Sequence, residues 1–98
     1  MWRQGDVLIA VHQEVPSNAK LREGGLLVEG EITGHSHRVE VPSTAEVWEL
    51  DGQLYIKVVA KSARIVHEEH GPIELPQGLY RVWRQREYSP EQIRSVED

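Results

Sequence analysis

Hydrophobic and polar residues alternate in short runs along most of this chain. Across residues 53–61, Leu54, Ile56, Val58 and Ala60 take one parity and Tyr55, Lys57, Val59 and Lys61 the other. Side chains two apart on a strand share a face, so this is the pattern of a half-buried strand. The apolar run at 47–50 precedes it, and Asp51-Gly52 lies between. Asp-Gly supplies the positive-φ residues of a tight hairpin turn, so the two runs are predicted to pair. Other runs predict strands at 6–15, ended by Pro16-Ser17-Asn18, and at 26–32, interrupted by Gly30. A strand at 35–41 is stopped by Pro42-Ser43, and one at 63–69 is ended by Gly71-Pro72. A short strand at 73–75, a turn at Pro76-Gln77-Gly78 and a last strand at 79–85 follow. Residues 20–25 fit neither period, and Gly24-Gly25 breaks them.

Roughly seven or eight strands, about 8–12 residues apart, predict an all-β fold: a small antiparallel barrel or sandwich. Only the end of the chain reads as helix. Ser89 suits an N-cap, Pro90 the first helical position and Gln92 the third, a capping box. Ile93 and Val96 would dock this tail on the sheet. The expected organisation is one domain, 1–98, with a β core at 1–88 and a short capped helix at 89–98.

Composition narrows the chemistry. The chain has 98 residues, 39% hydrophobic and 28% charged, with a net charge of −5. That size suits one core, and that charge disfavours a general phosphate-backbone binder. There is no cysteine, so disulfides and thiolate metal sites are excluded. No apolar run approaches the roughly 20 residues of a membrane helix, and the start lacks a signal-peptide pattern. A cytoplasmic protein is expected. With no phenylalanine, Trp2, Trp48 and Trp83 must join the aliphatic residues in filling the core or an interface.

The histidines stand out against this background. His35 and His37 share a parity with Val39 and Val41, while Ser36, Arg38 and Glu40 take the other. His67 shares a parity with Ala63 and Ile65. Imidazoles aimed at an apolar face need partners, since an unpaired buried polar group costs about 1–3 kcal/mol. A His-x-His strand sets two rings about 6.5 Å apart at Cα on one face, where both can reach one ion. His67 supplies a third ligand, and His70 a fourth where the chain turns at Gly71-Pro72. Glu69, on the His67 face, can complete the sphere or act as a base. The expected cofactor is a divalent metal held by nitrogen and oxygen: zinc, iron, manganese or nickel.

Gly34-His35-Ser36-His37 and Pro76-Gln77-Gly78 resemble the two motifs of the cupin family. The resemblance implies a small double-stranded β-barrel and a metal. It departs from the family pattern where the glutamate ligand belongs, since Val41 and Pro42 stand there, and no histidine follows Pro76-Gln77-Gly78. The stretch 30–39, His67-Glu68-Glu69-His70, residues 75–80 and residues 84–90 together also resemble a family of short uncharacterised bacterial proteins. That resemblance implies no activity.

The expected function is a small metal-binding β protein, a candidate metal-dependent enzyme on a small-molecule substrate. A second reading is metal-free cleavage of RNA, with two of His35, His37 and His67, chiefly His37 and His67, as acid and base and Arg38, Arg81 or Arg84 stabilising the phosphorane. A third is a non-enzymatic module that forms homo-oligomers through edge strands.

Overall fold

The computed structural model describes residues 1–29 and 34–85. The expected helical tail at 89–98 lies outside the described residues, as do positions 30–32 of the predicted strand at 26–32. The described chain is all-β and antiparallel. It runs β1 (Trp2–Gln4), β2 (Val7–Val11), β3 (Lys20–Arg22), β4 (Leu26–Glu29), β5 (Ser36–Val39), a single 3₁₀ turn (Pro42–Thr44), β6 (Ala45–Leu50), β7 (Gln53–Val66) and β8 (Ile73–Arg84). No helix among the described residues is long and apolar enough to cross a membrane.

The strands form one sheet in the order β1-β2-β8-β7-β5-β4, with β6 also on β7 and β3 on β6. The expected barrel does not close. The ladder begins at β1 and ends at β4, and β3 is a third edge. Among the described residues these edges are three or four residues long. Short edges offer few unpaired backbone groups to another chain.

Two hairpin turns carry much of the topology. Asp51 and Gly52 both take positive φ, 49° and 80°. That is the type I′ requirement, and it brings Leu50 opposite Gln53 as the pattern predicts. The second turn is Gly5-Asp6, between Gln4 and its partner Val7. The expected strand at 6–15 overlooks it: β1 precedes the turn, and the strand after it ends at Val11.

The expected division into strands at 53–61 and 63–69 is also corrected, because β7 is continuous through both. It is bent rather than broken. Between Val58↔Gly78 and Ser62↔Pro76, β7 carries two more residues than β8. On this bulge the inward parity switches, from Leu54, Ile56 and Val58 to Ala63 and Ile65 on β7, and from Ile73 and Leu75 to Tyr80 and Val82 on β8. Pro76-Gln77-Gly78 is therefore not a turn. Pro76 brings its missing N–H to a ladder irregularity, where it leaves no bond unmade. Gln77 ties the bulge by donating its side-chain amide to Val59 O at 3.1 Å.

The bend divides the sheet into two halves with different neighbours. The first half of β7 pairs β6, and its second half pairs β5 through Arg38↔Val66 and Val39↔Ile65. Val7, Ile9, Val39, Val47, Ile56, Ile65 and Leu75 are buried together in one core cluster. Val41, expected inward, is 49% exposed, because β5 ends at Val39 and the strand rule no longer applies to it.

Candidate metal centre

The register of β5 on β7 builds the site. Arg38 faces Val66, so continuing the ladder by one residue past the end of β7 sets His37 opposite His67. The ring centroids are 4.3 Å apart. Another step sets Ser36 opposite Glu68, and its backbone N–H donates to Glu68 Oε1 at 2.9 Å. One more sets His35 opposite Glu69, where Nδ1 lies 3.8 Å from Oε2. Within β5, alternation turns His37 and Val39 to the core side and Ser36 and Arg38 to the other; residues 67–70 lie past the end of β7, where Glu68 accepts from Ser36 and Arg38 and still stands near His35 and His67.

His67 is the ring that the other imidazoles share. Its centroid is 5.7 Å from that of His35, 4.3 Å from His37 and 4.7 Å from His70. His70 also stacks parallel to His37 at 6.3 Å. It reaches the group because the chain turns after β7, and because Gly5 has no side chain to compete for the space the ring fills. A Cβ at Gly5 would lie 2.5 Å from His70 Nε2, and Gly5 holds φ at +61°. Gly5→Ala should therefore expel the His70 ring and cost about 1–2 kcal/mol from the left-handed backbone alone. Ring NMR shifts of His70 and the thermal midpoint check this together.

His37 is the buried member, 2% exposed. Its Nδ1 contacts Gln4 Oε1 at 2.9 Å. Gln4 is equally buried, and its Nε2 donates to Ile65 O at 3.0 Å and Gly71 O at 2.8 Å. Burial lowers the His37 pKa from 6.5 to about 4; His67, His70 and Arg84 add to the shift and Asp6 opposes it. His37 is a neutral ring near pH 7.

The carboxylates divide by occupation. Glu68 accepts from Ser36 N–H and, at Oε2, from Arg38 Nη1 at 2.9 Å. The Ser36 bond above all, with its own backbone N–H and Arg38, brings the Glu68 carboxyl from 4.5 down to about 2. Asp6 accepts Arg84 Nε on Oδ2 at 2.7 Å and turns Oδ1 toward His37 Nε2, 3.7 Å away. Arg84 is itself anchored to Glu29 O at 3.0 Å.

Ligand-capable atoms of His35, His67 and Glu68 lie within 4.8 Å of one another. One adjustment is built into that trio. The Glu69 backbone N–H donates to His67 Nδ1 at 3.0 Å, which places the proton of a neutral ring on Nε2. Coordination through Nε2 requires that bond to open and the proton to move.

The structure thus brings His35, His37, His67 and His70 together and sets Glu69 beside His35. Arg38 stands on the other face of β5, paired with Glu68 rather than aimed at the rings. Gln4 and Asp6 are the residues that sequence reasoning missed. Gly5-Asp6 carried a signal, since glycine first in a two-residue loop is the type II′ pattern. Gln4 carried none, because its partners are distant backbone carbonyls.

The molecule is an all-β antiparallel protein with an imidazole-rich rim. It belongs to the family described as Domain of unknown function (DUF8820), whose model matches residues 3–85, a span that includes Gln4, Asp6 and all four clustered histidines. No curated protein and no solved structure matches the chain.

Proposed function

We propose that this rim is a divalent transition-metal centre built on imidazoles, with His35, His37, His67 and His70 as its nitrogen ligands. The carrying observation is the convergence of three imidazoles on His67 from segments far apart in sequence, with His35, His67 and Glu68 already at ligand spacing. Nitrogen-rich donors suit zinc and nickel better than manganese, with iron between. An open position on such an ion would polarise a bound water or a small-molecule carbonyl, which is the basis for a metal-dependent enzyme. The cupin likeness enters only here: His-x-His at a strand start supplies two ligands, on an open sheet in place of a barrel.

Metal-free RNA cleavage needs a cation to meet the phosphorane. Arg38 pairs with Glu68, Arg84 with Asp6, and Arg81 lies 4.2 Å over the Trp83 ring. Those engagements favour the metal reading.

Untagged protein should purify with about one first-row metal per chain, or take up zinc or nickel stoichiometrically on titration, and His67→Ala should lose most of it. A natively folded wild-type protein that takes up neither ion overturns the proposal.

A further inference from the structure

The orientation of Gln4 can be read from its neighbours. Ile65 O and Gly71 O only accept, so they take both hydrogens of the amide, and Oε1 must be the acceptor. His37 Nδ1 therefore carries a proton and donates it to Oε1. In a neutral ring, Nε2 is then a bare lone pair. The charged atom it faces is Asp6 Oδ1 at 3.7 Å, which also only accepts. No described residue donates to either atom. Two acceptors set face to face repel each other, and a cation between them would be attracted to both; neither is a buried orphan, since no buried side-chain nitrogen or oxygen among the described residues lacks a partner.

The distance suits a metal. Bonds of about 2.0–2.2 Å to nitrogen and to oxygen span such a gap at an angle of roughly 120°. Asp6 is also prepared for the task. Arg84 holds Oδ2, which orients the carboxylate and leaves Oδ1 as the coordinating atom. Of the other two carboxylates at the rim, Glu68 has a hydrogen bond on each oxygen, and Glu69 turns Oε2 toward His35, 3.8 Å away, not toward His37.

We infer that Asp6 is the carboxylate ligand of this centre, and that Gln4 is the positioning residue that turns the His37 Nε2 lone pair toward the ion. The inference rests on the metal reading and extends it to two residues of the first hairpin. Gln4 sits in β1, Asp6 in the turn that follows, and His37 in β5, so binding would tie the start of the sheet to its far side.

The test is zinc titration of the untagged full chain by calorimetry, with wild type, Asp6→Asn and, as a carboxylate away from the rim, Glu74→Gln. Asp6→Asn should weaken zinc by at least about 10–100-fold, the loss typical even of residues one step removed from a metal. Glu74→Gln should leave affinity nearly unchanged. Asp6→Ser repeats the measurement should asparagine disturb the hairpin. Equal affinity in wild type and both Asp6 variants overturns the ligand role while leaving zinc binding intact. Absence of zinc binding in wild type removes the metal reading and the Asp6 role together. The part of Gln4 is read separately, from ¹⁵N shifts of His37 in metal-free protein at neutral pH. A protonated Nδ1 with a bare Nε2 supports it, and an Nε2-protonated or doubly protonated ring overturns it.

Discussion

Replacing Gln4 by leucine should cost about 2 kcal/mol or more of stability, a large share of the roughly 5–15 kcal/mol available to a domain. The side chain is buried and makes three hydrogen bonds: one from His37 and two to the carbonyls of Ile65 and Gly71. Leucine fills a similar volume but makes none of them. The His37 N–H would then be left unpaired in the core, at about 1–3 kcal/mol, while Ile65 O would keep its place opposite Ile73 in the β7–β8 ladder and Gly71 O, nearer the surface, would turn to water. Gln4→Glu separates the parts. It keeps an acceptor for His37, loses both donors and adds a negative charge, so the His37 pKa should move back up. Urea denaturation at neutral pH measures the loss, with the slope unchanged if only the native state is affected. A Gln4→Leu protein within about 1 kcal/mol of wild type would show that these bonds are worth little, and that His37 is held by packing alone.

That dependence on Gln4 also shows where a sequence stops being legible. The β6–β7 hairpin could be read because its determinant, Asp51-Gly52, is local. The inward aim of His37 could be read because parity is local too. Continuity of β7 could not. Its bulge is a relation between two strands, set by Pro76 and Gln77 on β8, and the change of parity at Val58 looks from the sequence like a break. Closure failed for a similar reason, since strand count says nothing about whether β1 and β4 meet. His70 lies past the end of β7, where parity has no meaning, and its place depends on the missing side chain of Gly5. At the site, the imidazoles advertised themselves and their supports did not. Gln4 and Asp6 are ordinary polar residues beside a glycine, and only the fold makes one a buried lock and the other a facing carboxylate.

Acid should destabilise the metal-free protein in two successive windows. The first belongs to His37, whose pKa falls from 6.5 to about 4 on folding, chiefly through burial. Between those values the unfolded chain holds a proton that the folded chain refuses. Stability therefore rises with pH across the window, is flat above about 6.5, and loses no more to this group below about 4. The slope can reach about 1.4 kcal/mol per pH unit, and allowing for water at the rim the whole window is worth about 2–3 kcal/mol. The second window belongs to Glu68, lowered from 4.5 to about 2 by Ser36 N–H, its own N–H and Arg38. Its contribution is present above 4.5 and lost as pH falls through about 2. Urea midpoints from about pH 3 to 8 should thus decline in two stages, and His37→Asn should flatten the upper stage while leaving the lower one. A wild-type curve level between pH 6.5 and 4 would mean that His37 accepts its proton in place, with Asp6 outweighing burial. Zinc separates the cases further. If the ion binds the neutral ring, a saturating concentration should steepen the upper stage, because each proton taken up by His37 must then also displace metal.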